Sequence, residues 1–150
     1  MSSHVLAGAT VLAMVGLVAV GVVGHAVVGV QPTARGSLIE EEAAVAVRSP
    51  GPHEGGGDTT VFPFFATAPD FKMAFRKRIL HQGSTIGYHV QDFDEVYYIL
   101  SGAGEYTLNG VTRPVGPGTA LLTRVGDSHG LRPASDSEVA LIIAYPTPSR

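Results

Sequence analysis

The chain has 150 residues, a single-domain length with room for one hydrophobic core. Hydrophobic residues make up 45% of it and charged residues 15%, with a formal net charge of −3; this excludes a disordered charged tail and gives no electrostatic case for nucleic acid. No cysteine is present, so disulfides, thiolate metal sites and thiol nucleophiles are excluded, and the available chemistry falls to His, Asp, Glu, Tyr and Gln.

Lys, Arg, Asp and Glu are all absent from residues 1–34, and residues 5–30 are an apolar run interrupted only by Thr10 and His25. A helix of that length would cross a hydrocarbon core of about 30 Å. The segment reads as an export signal or as an uncleaved membrane anchor. Gly24-His25-Ala26 offers a small-x-small cleavage site, whereas the length suits an anchor better. A buried structural helix is the third reading. Export or anchorage on the outer face is preferred, although Arg35 and Arg48 on the C-terminal side would place an anchored domain in the cytoplasm by charge counting.

Residues 35–59 read as a linker and arm. The stretch from Arg48 to Asp58 is rich in Pro and Gly and has loop chemistry throughout. Gly55 to Gly57 lack the Gly-Lys-Ser/Thr ending of a phosphate loop. His53 in this loop reads as a solvated residue, with a cover over a site mouth as the alternative.

From Thr60 onward the chain reads as short strands. In Phe71 to Ile79 the period of two places Phe71, Met73 and Phe75 on one face, taken as the buried one, and Lys72, Arg76 and Arg78 on an exposed face. Strands follow at Thr85–Gln91, Glu95–Leu100, Glu105–Leu108, Val111–Val115, Ala120–Thr123 and Val139–Tyr145. Asn109-Gly110 predicts a type I′ hairpin, because both residues accept positive φ. A loop around Gly126-Asp127 leads to His129. Many short strands with no convincing helix predict a small all-β barrel or sandwich.

The chemistry concentrates at His89, Gln91, Glu95 and His129. His89 and Gln91 leave the same face of one strand, a hairpin through Asp92-Phe93-Asp94 would return Glu95 beside them, and a neighbouring strand would bring in His129. Two imidazoles and a carboxylate suit a divalent transition metal, with Fe, Mn, Ni, Cu and Zn all plausible. On local spacing alone the favoured reading is that His89 and Gln91 simply hydrogen-bond inside a core, since His-x-Gln is a common tripeptide.

The spacing Gly83-x5-His89-x-Gln91-x3-Glu95-x6-Gly102 resembles the first motif of the cupins, with Gln91 where the family usually has a second His. Gly118-x5-Arg124-x-Gly126-x2-His129-x3-Pro133 resembles the second, with Arg124 in place of Pro and Pro133 in place of Asn. The resemblance, to small single-domain cupins, covers roughly residues 60–146. It implies a double-stranded β-helix, the jelly-roll barrel, over residues 60–150, with the preceding arm adding an outer strand. His89, Glu95 and His129 carry over as metal ligands, and Gln91 as the occupant of a ligand position. Tyr97 shares the strand parity of Glu95 and is a candidate substrate-binding residue, as is Arg124, whose guanidinium could hold a carboxylate. The expected function is that of a small metal-binding cupin that binds or transforms a small carboxylate, enol or sugar, as a dioxygenase, decarboxylase, isomerase or lyase if it is an enzyme. The alternative is a non-catalytic ligand-binding module at the cell envelope with a weakened metal site. A homodimer is also implied by the resemblance.

Overall fold

A computed structural model describes residues 36–147. The apolar segment 5–30, and with it the expected signal or anchor, lies outside the described residues, which contain no helix long and apolar enough to cross a membrane.

The elements run α1 (Glu42–Val45), β1 (Val47–Pro50), β2 (Asp58–Phe64), β3 (Met73–Leu80), β4 (Ile86–Val90), β5 (Glu95–Ser101), β6 (Gly104–Leu108), β7 (Val111–Val115), β8 (Ala120–Thr123), β9 (Ser128–Pro133) and β10 (Val139–Pro146). The described strands form a six-stranded sheet in the order β1-β2-β3-β10-β5-β8 and a four-stranded sheet in the order β4-β9-β6-β7. All pairings are antiparallel. Two antiparallel sheets with consecutive strands passing between them make the jelly-roll barrel expected from the sequence. The arm supplies more than a linker: β1 is an edge strand of the larger sheet, paired along its length with β2.

Alternation decides which side chains fill the interior. In β5, Glu95, Tyr97 and Ile99 are buried while Val96, Tyr98 and Leu100 are exposed. Ile99 packs with Leu80, Ile86, Leu131 and Leu141 in the core cluster. Asn109 (φ 47°) and Gly110 (φ 79°) turn β6 into β7, as the hairpin signal requires.

Two expectations change. The expected strand 71–79 exists, but its faces are reversed: Arg78 and Leu80 are buried, and Met73 is exposed. Phe75 instead packs on Phe64, and Phe71 meets Phe65 edge-on, in an aromatic cluster at the β2–β3 end. Asp92-Phe93-Asp94 is not a hairpin; it carries the chain from the smaller sheet to the larger one, because β4 pairs with β9 whereas β5 pairs with β10 and β8. The segment after Gly126-Asp127, given no strand bounds by the sequence, forms β9, and this is the neighbouring strand that brings in His129.

Candidate ligand and metal site

β4 and β9 place His89 directly opposite His129, and their rings lie 4.6 Å apart between centroids. His129 is fully buried. Its Nδ1 is 3.0 Å from Thr123 Oγ1 and 3.3 Å from the Tyr106 hydroxyl, which turns Nε2 toward Glu95, 3.3 Å from Oε2. His89 Nδ1 lies 2.8 Å from the Gly87 carbonyl; a carbonyl only accepts, so Nδ1 carries a proton and Nε2 is the nitrogen left to act as a donor atom. Glu95, 6% exposed, opens β5 at the point where the chain crosses between sheets. The outcome is three buried atoms with no hydrogen-bond partner, His89 Nε2, His129 Nε2 and Glu95 Oε2.

Burial sets the charge state here. It raises the Glu95 carboxyl to about 7, against the opposing pull of the Tyr97 hydroxyl bonded to it and of Arg76. It lowers His129 to about 4, with His89 and then His53 pushing the same way. Tyr97 is held well above its ordinary value by burial and by the neighbouring carboxylate. The pair at the centre is therefore most comfortable with both groups neutral.

A cavity of about 220 Å³ opens above these groups, with His89, Gln91, Glu95, Tyr97, Arg76 and Arg78 on its walls. Gln91 is 5% exposed, and its backbone fixes the end of β4 to the loop before β9, through Asp127 O and Gly126 N at 2.8 Å each. Tyr97 lies on the wall as its parity predicts. Arg124 does not: it is exposed and donates to Asp94 at 2.6 Å. A larger hollow of about 540 Å³ beside the β2–β3 loop lies away from the two core histidines and Glu95, whereas the smaller cavity is lined by His89, Gln91 and Glu95.

Two of the residues that line the wall are His53, for which the sequence offered a cover over a site mouth as the alternative, and Arg78, expected on an exposed face. The β1–β2 loop folds over the cavity so that the His53 ring stacks on His89, 3.4 Å between centroids and 6° from parallel. His53 and Glu54 both take positive φ to achieve this, a strained backbone held by its surroundings. The loop docks because β4 has a glycine there: a Cβ at Gly87 would sit 1.8 Å from the His53 carbonyl oxygen, and Gly87 N donates to Pro52 O at 3.0 Å. The second is Arg78, from the strand whose faces were reversed.

The donor set suits a borderline divalent metal: two imidazoles with their second nitrogens engaged, and one carboxylate. The three partnerless atoms are those a metal would use. As the side chains stand, however, no three His, Cys, Asp or Glu residues among the described ones are gathered closely enough to hold an ion.

Residues 77–145 match the cupin domain family, Cupin_2. No curated protein matches. Among solved structures, the chain is similar to a predicted oxalate decarboxylase from Thermotoga maritima, at 21% identity over 74% of this chain and 100% of that one, with a TM-score of 0.65. It is also similar to the polyketide cyclase RemF from Streptomyces resistomycificus, at 22% identity over 75% and 80% of the two chains, TM-score 0.63. A third likeness is to a cupin-like protein from Thermotoga maritima, at 17% identity over 59% and 68%, TM-score 0.53. Residues 77–145 thus carry the likeness to the cupin domain, and the barrel that contains them shares the fold of these solved structures.

Proposed function

We propose that the protein binds a small organic molecule in the 220 Å³ cavity beside a divalent transition metal held by His89, Glu95 and His129, with Gln91 at the remaining ligand position. The observation that carries this reading is that His89 Nε2 on β4, Glu95 Oε2 on β5 and His129 Nε2 on β9 are all buried without a hydrogen-bond partner; leaving such atoms unsatisfied is costly unless something else engages them. When bound, the metal supplies Lewis-acid polarisation of a ligand oxygen. The chain's own residues do the rest. Thr123 and Tyr106 hold His129 in one ring orientation, Gly87 holds His89, and the Tyr97 hydroxyl steadies the Glu95 carboxylate. His53 closes the mouth against water. Similarity to structures described as a decarboxylase and a cyclase agrees with a small-molecule ligand.

Elemental analysis tests this reading: one transition metal per chain is expected in protein loaded with Fe, Mn, Ni, Cu or Zn, and none in His89→Ala/His129→Ala. A second reading, a binding module with a weakened metal site, is favoured by Gln91 and by the ungathered ligand set. Turnover separates the two, since a module binds its ligand and never converts it. The protein is exported or anchored through residues 5–30, and it pairs with a second copy across the apolar outer face of β5 and β8.

A further inference from the structure

Alternation along β3 turns Arg76, Arg78 and Leu80 to one side, and that side is the cavity and core rather than solvent. Arg78 is only 5% exposed. Its Nη1 donates to Thr59 Oγ1 at 2.6 Å, and its Nε is buried with no partner. Arg76, one pleat away, donates to the Tyr145 hydroxyl and lies over that ring, 5.1 Å from its centroid. Among the described residues the ion pairs of arginine and lysine belong to Arg48, Lys77, Arg124 and Arg132; neither Arg76 nor Arg78 has a carboxylate partner. Two guanidinium groups thus share one small cavity, one of them withdrawn from water with an idle donor. A buried charge without a counter-charge is expensive; of the two acids lining the cavity, Asp92 is exposed and Glu95 is committed to the metal in the reading above.

The chemistry that resolves this is a bound anion. With Nη1 engaged by Thr59, Arg78 offers its side edge, Nε and Nη2, which matches the two oxygens of a planar carboxylate. The cavity holds roughly seven water volumes, room for a short organic acid and too little for a nucleotide. We infer that Arg78, assisted by Arg76, is the docking site for the carboxylate of a small organic acid, whose other end then faces Glu95 and His89. This rests on the cavity being the ligand site, and it deepens that reading without requiring the metal.

The test is a titration of metal-free protein with propionate, propionamide and inorganic phosphate, followed through the Arg78 Nε–Hε resonance in ¹H–¹⁵N spectra. Propionate should shift that resonance saturably and propionamide should not. Arg78→Met should weaken propionate binding at least tenfold, and Arg76→Met less. Should Arg78→Met fail to fold, Arg78→Lys keeps the charge and loses the fork, and the same tenfold loss is expected. A folded protein whose Arg78 signal ignores propionate, or answers only to phosphate, overturns the inference. Metal content keeps the two readings apart: Arg78→Met should load metal like the parent chain, and His129→Ala should bind propionate yet hold no metal. Propionate binding in a chain that never takes up metal would leave this inference standing and remove the metal.

Discussion

Glu95 and His129 face each other at 3.3 Å with opposite displacements, the carboxyl raised to about 7 and the imidazole lowered to about 4, each mainly by burial. Their effects on metal-free stability have opposite signs. Folding favours protonated Glu95, so its contribution is complete below the unfolded value of 4.5 and is lost as pH rises through about 7. Folding favours neutral His129, so its contribution is complete above 6.5 and is lost as pH falls through about 4. Between 4.5 and 6.5 the two slopes oppose each other. Glu95→Gln should therefore unmask a urea midpoint that climbs with pH from 4 to 6.5. His53, also lowered by burial and by His89 and Arg78, adds to that climb. A Glu95→Gln protein whose midpoint falls with pH across the window would refute the neutral pair. At this scale the sequence was informative where spacing carries the signal: His89, Gln91, Glu95 and Tyr97 lie where strand parity puts them. It left His53 open between a solvated residue and a cover over a site mouth, because a ring stacked on a residue 36 positions later leaves no local pattern.

The β1–β2 loop and β3 show what alternation leaves undecided. A period of two says that β3 has two faces, and not which of them is inside. The apolar residues of its first half were read as core, yet Phe71 and Phe75 are consumed by Phe64 and Phe65 at one end of the barrel, so the arginines fall to the interior. β9 was given no bounds because Gly130 weakens its strand signal; that glycine lets β4 approach, and a Cβ there would lie 3.2 Å from Tyr88 Cα. By contrast β7 and β8 match their predicted bounds, set by Asn109-Gly110 and Gly116-Pro117-Gly118. Loop docking makes its own prediction. Gly87→Ala should push the His53 carbonyl off β4, cost roughly 1–3 kcal/mol, and speed hydrogen exchange at residue 87, whose amide is bonded to Pro52. An amide that stays protected at unchanged stability would contradict the docking.

Two sheets closing over one cavity explain how a chain with only 15% charged residues can hold a polar interior: the ionisable groups sit where three strands from both sheets meet. The same closure leaves Val96, Tyr98, Leu100 and Leu122 exposed on the outer face of β5 and the edge strand β8, with Val96 opposite Leu122. A second copy covering this stripe would sediment as a dimer, and Tyr98→Glu/Leu122→Glu should return it to monomer; a monomeric parent chain at high concentration refutes the pairing. In the proposed function, the unpartnered buried atoms of His89, Glu95 and His129 are metal donors. The most direct measurement is metal content after loading and desalting. Close to one divalent transition metal per chain is expected, lost in His89→Ala and in His129→Ala. A parent chain that retains none of the five candidate metals, or a double variant that retains a full equivalent, would contradict it.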